Sequence, residues 1–169
     1  MYLICTIKAY HLSRRREFIY DESGYVQVFV DGSCLGNGTP NARAGIGVFW
    51  NDGHRLNVSQ PASQPTNNVA EVEAVAMAGE IAKANQIRKL HIISDSKYVF
   101  DCLFNWMPKW KQNGWRTSKR QPVKNRPELE RLENILSGLD IKWSHVESHS
   151  GNPGNDKADQ LAKQAALQQ

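Results

Sequence analysis

Two rhythms of apolar and polar positions run along this chain, and their order outlines a fold. Tyr25-Val26-Gln27-Val28-Phe29-Val30 is rich in β-branched and aromatic residues and predicts a strand that ends at Asp31-Gly32. Ala44 to Trp50 predicts a second strand, and Asn51-Asp52-Gly53 turns tightly into a third, His54 to Ser59, completing an antiparallel meander. After a loop at 61 to 68 the spacing changes. Val69, Val72, Ala76, Gly79 and Lys83 recur at helical intervals, and the many small residues among them predict close packing on a sheet. Leu90 to Ser94 reads as a buried strand, Ser96 to about Asn105 as a helix, and Pro127 to Ser137 as another. Asp140 to Val146 makes a last strand, and Asn155 to Ala166 a last helix with Asn155 as its N-cap. Strands followed by alternating helix and strand predict an α/β fold. Its mixed five-stranded sheet joins the meander to parallel strands, with helices on both faces.

The first 23 residues fall outside this pattern. They carry His11 and the run Arg14-Arg15-Arg16, with no acidic residue before Glu17. A presequence would be basic and acid-poor in this way, but the stretch is short and its amphipathicity weak, so a linker or fragment end fits as well. The expectation is a poorly ordered extension over 1–23 and one domain over 24–169. Of the 169 residues 40% are apolar, enough for a real core, and no apolar run approaches the roughly 18 residues of a membrane helix. Cys5, Cys34 and Cys102 are scattered and odd in number. They suggest neither a disulfide framework nor a zinc site, and a reducing compartment fits them best.

The net charge of +4 hides an asymmetry. Between Trp106 and Arg126 lie seven basic residues (Lys109, Lys111, Arg116, Lys119, Arg120, Lys124 and Arg126) and no acidic one, so the rest of the chain stands at −3. The same stretch holds Trp106, Trp110 and Trp115, three of the five tryptophans. Cations interleaved with large aromatics suit a polyanion that offers sugar or base faces, and nucleic acid becomes the leading partner.

Candidate chemistry rests on carboxylates at element ends. Asp31 closes the first strand, Asp95 closes the fourth, Glu71 lies in the first turns of the small-residue helix, and Asp159 sits near the start of the last helix. Any one alone is more often a turn former or a cap. Converging together, they would repel one another unless a hard cation lay between them, and two Mg²⁺ ions so held can clamp an in-line phosphoryl displacement. His149, in the flexible Ser148 to Gly154 stretch ahead of Asp159, is either a solvated loop residue or a proton shuttle. No Walker-type or dinucleotide fingerprint is present. No cysteine or serine has the base and orienting partner of a covalent nucleophile.

Four blocks, Val30-Asp31-Gly32-Ser33, Thr66-Asn67-Asn68-Val69-Ala70-Glu71, Ser94-Asp95-Ser96 and His149-Ser150-Gly151 with Ala158-Asp159, resemble the signature blocks of ribonuclease H type 1. Trp106-x3-Trp110-Lys111-x-Asn113-Gly114-Trp115 is similar to the basic protrusion of the cellular members of that family. The resemblance runs in order from about Gly24 to Ala166. It implies an endonuclease that cuts the RNA strand of RNA–DNA hybrids with two Mg²⁺ ions per site, Mn²⁺ being a possible substitute. Asp31, Glu71, Asp95 and Asp159 would be the metal ligands, and His149 would assist product release or proton transfer. Asn37, Asn67 and Asn68 match positions that contact RNA 2′-hydroxyls. Thr66 and Asn125 match part of a pocket for a DNA phosphate. Tyr98, Trp106, Trp110 and Ser118 fall where the family lines a channel for the DNA strand. For the tryptophans, and equally for Tyr98, core packing is the competing reading.

The chain departs from the family pattern at Gln64, where animal members usually carry an arginine of the phosphate pocket, and at Ser148, usually a glycine. The first departure weakens the pocket and the second alters the mobility of the histidine loop. The first 23 residues are too short for the small hybrid-binding domain that often precedes the catalytic one in eukaryotes. A monomer without membrane attachment is expected, inside the cell, in the nucleus or the mitochondrion if the source is eukaryotic. Two other readings stand beside this one: the ribonuclease H portion of a retroelement reverse transcriptase, and a catalytically silent hybrid-binding module. The self-contained protrusion favours the cellular enzyme over the first, and the presence of all four carboxylates argues against the second.

Overall fold

A computed structural model describes residues 18–148 and 150–169. Strands β1 (Val26–Leu35), β2 (Arg43–Phe49) and β3 (Val58–Pro61) form the antiparallel meander; β4 (Lys89–Ser94) pairs parallel to β1, and β5 (Asp140–His145) parallel to β4. The resulting five-stranded order is β3-β2-β1-β4-β5. Helix α1 (Asn67–Ala84) packs on β1 and β2 from one side and also against α4 (Arg126–Leu136), while α5 (Pro153–Leu167) covers β1, β2 and β3 from the other. The expected α/β sheet with helices on both faces is therefore present.

Glycines set the distance between these layers. A Cβ on Gly32 would lie 2.2 Å from the backbone nitrogen of Glu71, so only glycine lets α1 approach β1 there. A Cβ on Gly47 would lie 2.0 Å from the carbonyl oxygen of Ala158, which brings α5 equally close to β2. Between sheet and helices Trp50, Leu90, Ile92, Leu129 and Leu132 are fully buried, each worth about 1.5–3 kcal/mol in transfer terms. Helix α1 buries residues nearly all round, from Val69 and Val72 to Ala78 and Ala82, because sheet and α4 enclose it on more than one side.

Several boundaries differ from the sequence expectation. Strand β1 does not end at Asp31 but runs to Leu35, because β2 keeps pairing with it out to the Leu35–Arg43 match. The third strand starts at Val58 rather than His54. Asn57 accepts from the Trp50 amide at 2.8 Å and donates to the Asn51 carbonyl at 2.8 Å, closing a wide loop in place of a tight hairpin. The N-cap of α5 is Asn152, whose side chain accepts from the Asn155 amide at 3.2 Å, while Pro153 presets the first turn. Asn155 is thus inside the helix and is not its cap. The helix after Asp95 continues past Asn105: α2 (Lys97–Phe100) passes through a π-helical turn, Asp101–Trp106, into α3 (Met107–Gln112). The Met107 amide reaches back five residues to Cys102, and the wider turn accommodates Pro108, which has no amide to donate.

Of the expected extension, residues 1–17 lie outside the described residues. Residues 18–23 are not loose but fastened to the domain. The Phe18 ring packs on Trp50 at 5.4 Å and His54 at 4.7 Å, and Tyr20 forms a bridge with Val26. Asp21 pairs with Lys142 at 2.6 Å and with His91 at 3.1 Å. Lys142 and two backbone amides hold the Asp21 carboxyl down at about 2.

Candidate active site

Parallel pairing of β1 with β4 stops at Phe29–Ile93. Two residues further along each strand, the same stagger sets Asp31 beside Asp95. Across the antiparallel side Asp31 faces Gly47, the residue on which α5, the helix of Asp159, rests. Glu71 enters from α1, where its Oε2 accepts from the Gly32 amide at 3.2 Å. Ligand oxygens of Asp31, Glu71 and Asp95 all lie within 4.8 Å of one another. Asp159, on α5, is ion-paired with Lys163, one turn on, at 2.7 Å. Three of the four predicted carboxylates therefore meet, and the charge of the fourth, Asp159, bears on Asp31 from the neighbouring helix.

The cost of this convergence is visible in the acids. Burial, then the charges of Asp95 and Asp159, push Asp31 up to about 8. Burial and the neighbouring Asp31 and Asp95 hold Glu71 well above the ordinary carboxylate range. Mutually repelling oxygens in a partly desolvated niche fit a hard divalent cation, which would supply the missing positive charge and take oxygen ligands.

His149 lies outside the described residues. Two residues the sequence reading passed over do contact Asp95. His145 Nε2, at the end of β5, is 3.1 Å from the Asp95 carbonyl oxygen, and Asn155 Nδ2 lies 3.3 Å from Asp95 Oδ2. The spacing of Asn155 and Asp159, four apart on one helix, was the available signal that both face the same centre.

The expected substrate residues form two groups. Beside the carboxylates, Asn37 accepts from the Asn67 amide at 3.2 Å, Asn67 Nδ2 reaches Glu71 Oε1 at 3.5 Å, and Asn68 is exposed. Thr66 caps α1, accepting from the Val69 amide at 3.3 Å. Further out, Asn125 Nδ2 donates to the Tyr98 hydroxyl at 3.1 Å, and Tyr98, Trp106, Trp110 and Trp115 form a chain of ring contacts 5.6–6.3 Å apart. Trp115 is buried under the Arg126 guanidinium, whereas Trp106 stays 38% exposed. Ser118 is exposed on the loop closed by the Thr117–Gln121 backbone bond. Gln64 donates to Glu128 at 2.7 Å, tying the loop before Thr66 to the first turn of the helix that Asn125 starts. Of the basic stretch, Lys111 is already ion-paired with Glu133 of α4.

Comparison with known proteins points to one family. The RNase H family pattern matches residues 23–167. Ribonuclease H1 of Rattus norvegicus is 44% identical over 144 residues, covering 85% of this chain and 50% of the relative. Ribonuclease H of Pseudoalteromonas atlantica is 36% identical over 142 residues, covering 84% of this chain and 90% of the relative. The chain thus spans about half the length of the mammalian relative and most of the bacterial one. Among solved structures, the foamy viral protease-reverse transcriptase in complex with RNA/DNA hybrid superposes with a TM-score of 0.66 at 27% identity, over 85% of this chain and 20% of that one.

Proposed function

The chain belongs to the ribonuclease H family, type 1, and on that premise we propose that it is an endonuclease that hydrolyses the RNA strand of RNA–DNA hybrids with two Mg²⁺ ions. The observation that carries this reading is the meeting of Asp31, Glu71 and Asp95 within 4.8 Å, with the charge of Asp159 acting on Asp31. These four side chains would hold the ions. Bound magnesium would supply the positive charge that draws in the scissile phosphate and acidifies the attacking water.

The protein's own groups do the rest. Asn37, Asn67 and Asn68 offer amide groups beside the acids, suited to RNA 2′-hydroxyls. Asn67 reaches both ways, its backbone held by Asn37 and its side chain by Glu71, so RNA contact and cation ligation share one support. Tyr98, Trp106 and Trp110 form a ridge for the DNA strand, with Ser118 at its rim, and Thr66 and Asn125 flank a place for a DNA phosphate. His149 moves a proton at the leaving group or eases product release.

The 44% identity with a mammalian Ribonuclease H1, against 27% with the foamy viral chain, supports the cellular enzyme over a reverse-transcriptase portion. Four intact carboxylates support activity over silent binding. Among the described residues no helix is long and apolar enough to cross a membrane. We read the protein as a monomer acting inside the cell, in the nucleus, the mitochondrion or both if the source is eukaryotic, where hybrids form and where unpaired cysteines are stable.

The test is cleavage of end-labelled RNA in an RNA–DNA hybrid, with and without Mg²⁺, beside single-stranded and double-stranded RNA. Mg²⁺-dependent cutting of the hybrid alone is the expected result. Cutting of single-stranded RNA at the same rate would overturn the proposal.

A further inference from the structure

Asn155 is 2% exposed, third in helix α5, one turn before Asp159. Its amide nitrogen lies 3.3 Å from Asp95 Oδ2. Its other polar atom, Oδ1, is buried and has no hydrogen-bond partner among the described residues. An orphaned buried acceptor costs about 1–3 kcal/mol unless something donates to it. At a site walled by carboxylates the protein itself has little to donate, whereas a water on a divalent cation carries two strongly polarised hydrogens.

We infer that Asn155 is a positioning residue of the metal centre: its NH₂ group fixes the rotamer of Asp95, and its Oδ1 accepts a hydrogen bond from water in the shell of a cation held by the acids. This inference rests on the proposed reading of the site as a hybrid-cleaving metal centre. The residue type fits both tasks. A carboxylate at this position would add one more repelling charge and could not donate to Asp95. An aliphatic side chain could neither donate nor accept. A serine would be too short to reach from the helix. Only an amide, donor on one side and acceptor on the other, joins an anion to polarised water without changing the charge of the group.

The geometry explains why α5 must sit so close. The helix backbone touches β2 at Gly47, and Gly154, next to Asn155, has its Cα against the Phe29 ring, where a Cβ would come within 2.4 Å of ring carbons. Phe29 is two residues before Asp31 on the same face of β1. A small shift of α5 would therefore move Asn155 and Asp159 together relative to Asp31 and Asp95.

The full chain serves for the test, as wild type, Asn155→Ala and Asn155→Asp. Three quantities are measured: Mg²⁺ affinity by calorimetry without nucleic acid, kcat and KM on hybrid, and the Tm of the metal-free protein. For Asn155→Ala, Mg²⁺ affinity and kcat should each fall by about 10–100-fold, the range usual for groups that orient metal ligands, with KM unchanged. Its metal-free Tm should hold or rise, because an unsatisfied buried group has been removed. Asn155→Asp restores an acceptor oxygen but not the donor to Asp95, so it should recover part of the Mg²⁺ affinity that alanine lost while its kcat stays low. Wild-type Mg²⁺ affinity and kcat in Asn155→Ala would overturn the inference. So would a lowered Tm in both variants accompanied by equal losses in affinity, which would mark a purely structural role. A wild-type chain that binds Mg²⁺ yet leaves hybrids intact would overturn the functional reading instead, and the metal titrations would still decide the role of Asn155.

Discussion

Asp31 and Asp95 stand side by side where the parallel pairing of β1 with β4 ends, with ligand oxygens within 4.8 Å of each other. In the metal-free protein burial and the charges of Asp95 and Asp159 keep a proton on Asp31 up to about 8, against about 4 in an unfolded chain. A raised folded-state value means the group favours the fold below pH 4, and this contribution drains away as pH rises toward 8. Metal-free protein should therefore lose Tm between pH 5 and pH 8. Asp31→Asn, which needs no proton, should gain on the order of 1–3 kcal/mol at pH 8 while losing cleavage. Thermal melts in EDTA at both pH values measure this, and a wild-type Tm that climbs with pH would refute it.

Asp95→Asn should abolish cleavage and leave hybrid binding close to wild type. The amide keeps the shape of the side chain but not the charge, and Asn37, Asn68 and the tryptophan ridge are untouched. Titrating labelled hybrid against the variant checks binding. Turnover near wild type in Mg²⁺ would remove Asp95 from the ligand set.

His149→Ala should slow turnover by about 10²–10⁴-fold without ending it, since the carboxylates and their cations remain. Single-turnover rates set beside steady-state rates separate proton transfer from product release. An unchanged rate would return His149 to an ordinary loop histidine.

Salt dependence tests the basic stretch. Hybrid affinity should fall by about 0.7–0.9 log units per tenfold salt for each phosphate contacted. Neutral replacements at Lys109, Lys119 and Arg120 should flatten that slope. Lys111 should contribute less, because Glu133 already pairs with it. Trp106→Ala and Trp110→Ala should weaken binding with the slope unchanged. KM at several salt concentrations distinguishes them, and a wild-type slope in the charge variants would mean the patch only faces solvent.

Phe18→Ala should destabilise the domain by about 1–2 kcal/mol, through lost ring contacts with Trp50 and His54, and leave kcat alone. Denaturant unfolding measures it. A midpoint equal to wild type would mean the 18–23 segment adds no stability.

Much of this arrangement was legible in the sequence because strands, turns and helix starts follow local rules. Asp95 stands at a strand end, as read, and Glu71 falls in the second turn of a helix whose cap, Thr66, lies five residues before it. Asp31 was misjudged as a strand end because the residues after it, Gly32 to Leu35, owe their extended form to β2, a partner across a loop. The π-helical turn was hidden for a similar reason, since helical spacing looks the same up to Pro108. Asn155 looked like a cap because asparagines commonly are, and its partner Asp95 lies 60 residues away in sequence. Residues such as Lys111, exposed and basic, gave no local hint that one of them had already found an acid.

The acids come from β1, α1, β4 and α5, and α5 follows every strand in sequence. A chain emerging from the ribosome has Asp31, Glu71 and Asp95 in hand well before Asp159 and Asn155 appear. Until that last helix docks on Gly47, no partial product of synthesis holds the complete set of ligands. The site is thus assembled across the whole fold: a helix distant in sequence must dock on a sheet already built before its acid can join the others.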